Sequence, residues 1–100
     1  MDEQTRQQIL ELTRQAHALT ESAYQDDPAV RGAEGWFGKQ RMLLADMALH
    51  LVQTSLKDGD IGGDKLRNNL YSILTICAQF MPEKDLARYA ADIIAQREQS

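Results

Sequence analysis

Cysteine occurs once, at Cys77, so the chain can close no internal disulfide. Proline occurs twice, and all 6 glycines lie between residues 32 and 63, so Pro28 and Pro82 are the only strong helix breakers outside that stretch. The 6 aromatic residues are not interleaved with lysine or arginine, which disfavours a stacking platform for single-stranded nucleic acid. No apolar run approaches the ~20 residues of a membrane span. The opening Met1-Asp2-Glu3-Gln4 lacks the basic and apolar regions of a secretory signal. Together these absences predict a cytoplasmic protein without a membrane partner. Basic charge is also short, with 11 Lys and Arg against 15 Asp and Glu for a net charge of -4. Residues 1–50 carry 5 basic and 8 acidic side chains, and residues 51–100 carry 6 and 7. Neither half forms a basic patch, so direct binding to a phosphate backbone has little electrostatic support. The excess of acid is too mild for the whole chain to imitate nucleic acid.

What remains is rich in Ala, Leu, Gln, Arg and Glu, strong helix formers, with 43% hydrophobic residues in 100. That length and composition predict one domain, residues 1–100. Ile9, Leu12, Ala16, Leu19 and Ala23 recur at spacings of 3 and 4 and form a narrow stripe on a helix over 2–25, capped by Asp2 or Thr5. Asp27 before Pro28 suggests a short helical turn, stopped at Gly32. A second helix spans 36–56, where Trp36, Phe37, Leu43, Leu44, Met47, Ala48, Leu51 and Val52 cover about half the circumference. Gln40 interrupts that arc, either bonded to a neighbouring backbone group or placed at an interface. A third helix, capped by Asp64, spans 64–81 with a similarly broad arc from Leu66 to Met81. A fourth covers 83–97 with the stripe Leu86, Tyr89, Ala90, Ile93 and Ile94. The expected architecture is all-α: a compact four-helix bundle-like domain with helices two and three central.

Motifs for chemistry are sparse. Asp58-Gly59-Asp60-Ile61-Gly62-Gly63-Asp64 begins like a calcium loop, but Gly62, Lys65 and Asn69 stand where an EF-hand needs a ligand, an apolar residue and a bidentate glutamate. Asp46 and His50 are the sole pair in which an acid stands one helical turn before a histidine, and two ligands fall short of a zinc site. No glutamate has Glu, Asp or His three residues on, the pattern that helical di-metal proteins draw ligands from. Cys77 sits among Ile73, Leu74 and Phe80, an inert setting for a thiol. Gly32, Gly35 and Gly38 form no phosphate loop. No catalytic residue, metal or cofactor is implied.

By elimination, the expected function is a non-enzymatic interaction protein. It would be a homodimeric inhibitor or adaptor that occupies another protein's surface, as small bacterial and phage regulators of the anti-activator or anti-CRISPR kind do. Two broad apolar helices in so short a chain favour a dimer, for which Phe37, Gln40, Leu44 and Tyr71 are candidate interface residues. Candidate partner-binding residues are Asp26, Asp27 and Glu34 beside Trp36, and Asp58, Asp60 and Asp64 in the second loop. An acidic rim suits a basic partner such as a nucleic-acid-binding protein, although the same aspartates also suit helix caps and turns. The competing readings are a metal-dependent or catalytic regulator assembled across a dimer from Asp46, His50 and the loop acids, and a helix-turn-helix repressor. The negative charge and the aspartate-rich turn weigh against the latter.

Overall fold

The computed structural model describes residues 1–99, most of them in four helices: α1 (Glu3–Asp26), α2 (Trp36–Leu56), α3 (Gly63–Cys77) and α4 (Leu86–Gln99). A 3-10 turn, Pro82–Lys84, precedes α4, and no strand occurs among the described residues. None of these helices is long and apolar enough to cross a membrane.

Asp2 caps α1, accepting from the Thr5 N–H at 3.3 Å and the Thr5 hydroxyl at 3.0 Å. The helix stops before Pro28, whose ring disfavours helical backbone at the preceding residue; Asp27 is extended, with φ -81° and ψ 117°. The helical turn expected after Pro28 does not form. Gly32 (φ 86°) and Gly35 (φ 88°) are left-handed, which a right-handed helix excludes, so this stretch makes turns instead. At the far end of α2, Arg6 Nη1 donates to the Leu56 carbonyl at 2.7 Å, placing a cation of α1 on the negative end of α2.

Three boundaries differ from the sequence expectation: the start and the end of α3, and the start of α4, which lies at Leu86 and not at 83. The N-cap of α3 is Gly62, and Asp64 sits inside the first turn, paired with Arg67 at 3.0 Å. Helix α3 also ends at Cys77, short of Met81. Residue 81 precedes a proline and is driven out of the helical region (φ -137°, ψ 63°), so the chain unwinds through the turn before it. Asp85 then adopts a left-handed conformation (φ 53°), separating the 3-10 turn from α4.

Neighbours in sequence are neighbours in space: α1 packs on α2, α2 on α3 and α3 on α4, leaving α2 and α3 in the middle. The helices lie as a slab of 44 × 37 × 19 Å with a radius of gyration of 15.3 Å. A compact 100-residue domain would have about 13 Å. Of the buried residues described, only Ile76 and Ala90 are apolar, while Thr13, Gln40, Asp46 and Thr54 are polar. Helix α1 shows the cause most plainly. Its seam with α2 runs through Thr13, His17 and Thr20, while Leu12 and Leu19 of the expected stripe are 60% and 73% exposed. A buried carboxylate on α2 needs partners, and α1 turns His17 and Thr20 inward to meet it, while Thr13 bonds its own helix at the Ile9 carbonyl.

Candidate functional site

That carboxylate is Asp46, 5% exposed at the middle of α2. Its Oδ1 accepts from the Thr20 hydroxyl at 2.5 Å and faces His17 Nδ1, also at 2.5 Å. Its Oδ2 lies 3.5 Å from Nε2 of His50, one turn further along α2. On α1, one turn beyond His17, Glu21 places Oε2 at 3.2 Å from His17 Nε2. The two imidazoles meet edge to face, with centroids 4.4 Å apart at 69°. One ligating atom from each of His17, Asp46 and His50 falls within 4.8 Å of the others.

His17 therefore meets a carboxylate oxygen at each ring nitrogen. An imidazole with one proton has one donor and one lone pair, so one of these contacts would set lone pair against carboxylate. A second proton or a bound cation resolves that conflict. The sequence marked Asp46 and His50 as a pair short of ligands; the structure adds His17, with Thr20 and Glu21, from another helix. These were missed because the register of α1 on α2 is not written in either helix alone. The available signal was the polar series Thr13, His17, Thr20 at spacings of 4 and 3, the period of a packed face.

A second polar relay joins the start of α2 to the turn that follows α3. Trp36 Nε1 donates to Gln79 Oε1 at 2.9 Å, and Gln79 Nε2 donates to Gln40 Oε1 at 2.7 Å. Gln40 is 3% exposed and so offers no surface to another copy. Neither sequence alternative for it anticipated a side-chain partner 39 residues away. Trp36 is half-buried and lines a surface cavity of about 480 Å³ with Arg31, Phe37 and Gln79. Phe37 is 56% exposed and touches Phe80 edge to face, centroids 5.6 Å apart. Of the other candidate interface residues, Tyr71 is exposed and Leu44 half-buried.

The two acidic groups are not brought together. They flank opposite ends of α2, whose 21 residues span about 30 Å. Asp26 and Glu34 are exposed at one end, while Asp27 is half-buried and accepts the Ala29 N–H at 2.9 Å, a turn-stabilising role. Asp58 and Asp60 are exposed at the other end, and Asp64 is held by Arg67. The resolved pKa shifts lie elsewhere on α1, at exposed ion pairs. The Arg6 guanidinium, helped by the Gln7 amide, holds Glu3 down to about 2, and Arg14 with Gln15 does the same for Glu11.

Comparison with protein-family models, curated proteins and solved structures finds no match for this chain.

Proposed function

We propose that the chain is a non-enzymatic interaction module that works as a homodimer and occupies the surface of another protein. One observation carries the dimer: the single chain exposes too much of itself. Its accessible surface is 6971 Å², about 1,200 Å² more than the roughly 5,700 Å² expected of a compact monomer of 11.3 kDa. Two copies hiding that excess would bury about 2,400 Å², within the range of permanent homodimers. The exposed side chains suit such a contact, with Leu12 and Leu19 on α1 and Phe37, Phe80 and Met81 where α2 meets the end of α3. A second copy is thus the occupant of the open apolar faces, and it completes the compact helical bundle that one slab lacks.

The partner protein then meets what the dimer leaves exposed, the acidic ends around Asp26 and Glu34 and around Asp58 and Asp60. Their charge favours a basic surface, and the module acts in stoichiometric amounts as an inhibitor or adaptor. Sedimentation equilibrium at micromolar concentration tests the first part, with a dimer expected and a monomer refuting it. Charge reversal tests the second. Asp26→Lys with Glu34→Lys, or Asp58→Lys with Asp60→Lys, should weaken capture of a partner from the native host without altering the helical melt. Undiminished capture by both variants would remove the acidic ends from the interaction.

A further inference from the structure

We propose that His17, Asp46 and His50 form a binding site for one divalent transition-metal ion of the zinc type, clasping α1 to α2 within each chain. Two imidazoles and a carboxylate are the donors such an ion prefers, whereas calcium and magnesium favour shells built from oxygen. Three protein ligands with a fourth place for water is a familiar zinc arrangement. His50 supplies the opening here: it is only half-buried and lines a polar groove of about 400 Å³ that continues towards Thr54 and Lys57.

The distances suit closure on an ion. Ligands bonded tetrahedrally at about 2.0–2.1 Å stand roughly 3.3 Å apart. The three ligand atoms already lie within 4.8 Å of one another on two packed helices. Around an ion His17 Nδ1 and Asp46 Oδ1, 2.5 Å apart, must separate to that tetrahedral spacing, while His50, whose Nε2 is 3.5 Å from Asp46 Oδ2, closes from the open side.

The surrounding residues supply an independent argument. Histidines that ligate a metal commonly donate their other ring N–H to a carboxylate, which fixes the tautomer. Glu21 stands at that position, 3.2 Å from His17 Nε2. With Nδ1 on the ion and the single proton on Nε2, the lone-pair conflict at His17 disappears. Thr20 similarly steadies the Asp46 carboxylate through its hydroxyl. Charge balances as well, since Asp46 and Glu21 carry two negative charges and both histidines bind as neutral rings.

Isothermal titration of the full chain, first stripped with a chelator, tests the site with zinc chloride. The expected result is one ion per chain with micromolar or tighter affinity, release of protons on binding, and a higher melting temperature. Cobalt(II) should bind with the visible absorption of a four-coordinate ion, and calcium and magnesium should give no heat. His50→Ala lies on the open side of the cluster, so it keeps the fold and should weaken zinc at least tenfold. Glu21→Gln acts through His17 and should weaken it by about 10–100-fold while leaving one ion per chain. Absence of zinc binding at 100 micromolar, an assay concentration of about 10^-4 M chosen to exceed ordinary site affinities, would overturn the proposal. So would undiminished affinity in His50→Ala. Either result would leave the cluster as a hydrogen-bond network alone. The site lies within one chain, so this outcome is independent of the oligomeric state.

Discussion

Truncating Asp46 to alanine should be the most damaging single change on the α1–α2 seam. It removes the Asp46 acceptor of the Thr20 hydroxyl, which keeps the His17 carbonyl at 3.1 Å, and the partner of His17, with both residues half-buried. Hydrogen bonds to a charged group are worth about 1.5–3 kcal/mol each. His17 retains some access to water, which recovers part of that loss, so we expect Asp46→Ala to cost about 3 kcal/mol. For a domain of this size the melting temperature should fall by about 12–24 °C. Asp46→Asn keeps an oxygen for Thr20 but turns an amide donor towards His50, and should cost about 1–2 kcal/mol. A double-mutant cycle with Thr20→Val isolates the hydroxyl–carboxylate bond, with an expected coupling of about 1–2 kcal/mol. The assay is equilibrium urea unfolding followed by circular dichroism, at one fixed protein concentration and with a chelator present. A loss below about 0.5 kcal/mol for Asp46→Ala, the size of an ordinary surface substitution, would refute the reading of this seam.

Leu12→Glu with Leu19→Glu places charge on the open face of α1 and should shift sedimentation from dimer towards monomer; an unchanged dimer would exclude that face. Calcium should give no calorimetric signal, because α3 begins at Gly63 inside the would-be loop and Asp64 is engaged by Arg67; micromolar binding would contradict this. Glu3 and Glu11 titrate near 2 in the folded chain against an ordinary 4.5, so their contribution is complete above pH 4.5 and is lost as pH falls through 2. Helicity at low salt should therefore decline across that window, less so in Glu3→Gln with Glu11→Gln. Both carboxylates are exposed, and added salt should shrink the difference between the variants.

Much of the secondary structure was legible because helix ends are local events. Asp2 reads as a cap, and Trp36–Leu56 follows from an apolar period bounded by glycine-rich turns. Pro82 marked a break, but its reach was underestimated, since the constraint on Met81 also ended α3 early. Lateral packing was less legible. The apolar stripe of α1 predicted which face would be covered, yet the face that packs is set by a buried aspartate on another helix. No pattern within residues 2–25 encodes the need of Asp46 for donors. Gln40 shows the same limit, because its partner Gln79 lies in a turn that the sequence assigned to α3.

The distribution of polar groups gives the slab its logic. Apolar helix faces tolerate a slide of one turn, because leucine against alanine costs little to re-pair, whereas a buried carboxylate does not. If α1 slipped by one turn, about 5.4 Å, Asp46 would lose both Thr20 and His17 at once. The Trp36–Gln79–Gln40 relay constrains the turn after α3 against α2 in the same way. Polar seams inside the chain thus select a register at some cost in burial. The leucines and phenylalanines they displace are left on the outside, where burying them requires a second molecule. In the proposed dimer, such a chain would gain its internal order from hydrogen bonds and much of its hydrophobic stabilisation from association. Its unfolding midpoint should consequently rise with protein concentration, as it does for any dimer whose subunits are weak alone. A midpoint that stays constant over a hundredfold range of concentration, about 10^-6 to 10^-4 M, would mean that the slab holds itself together and that its exposed apolar faces serve something else.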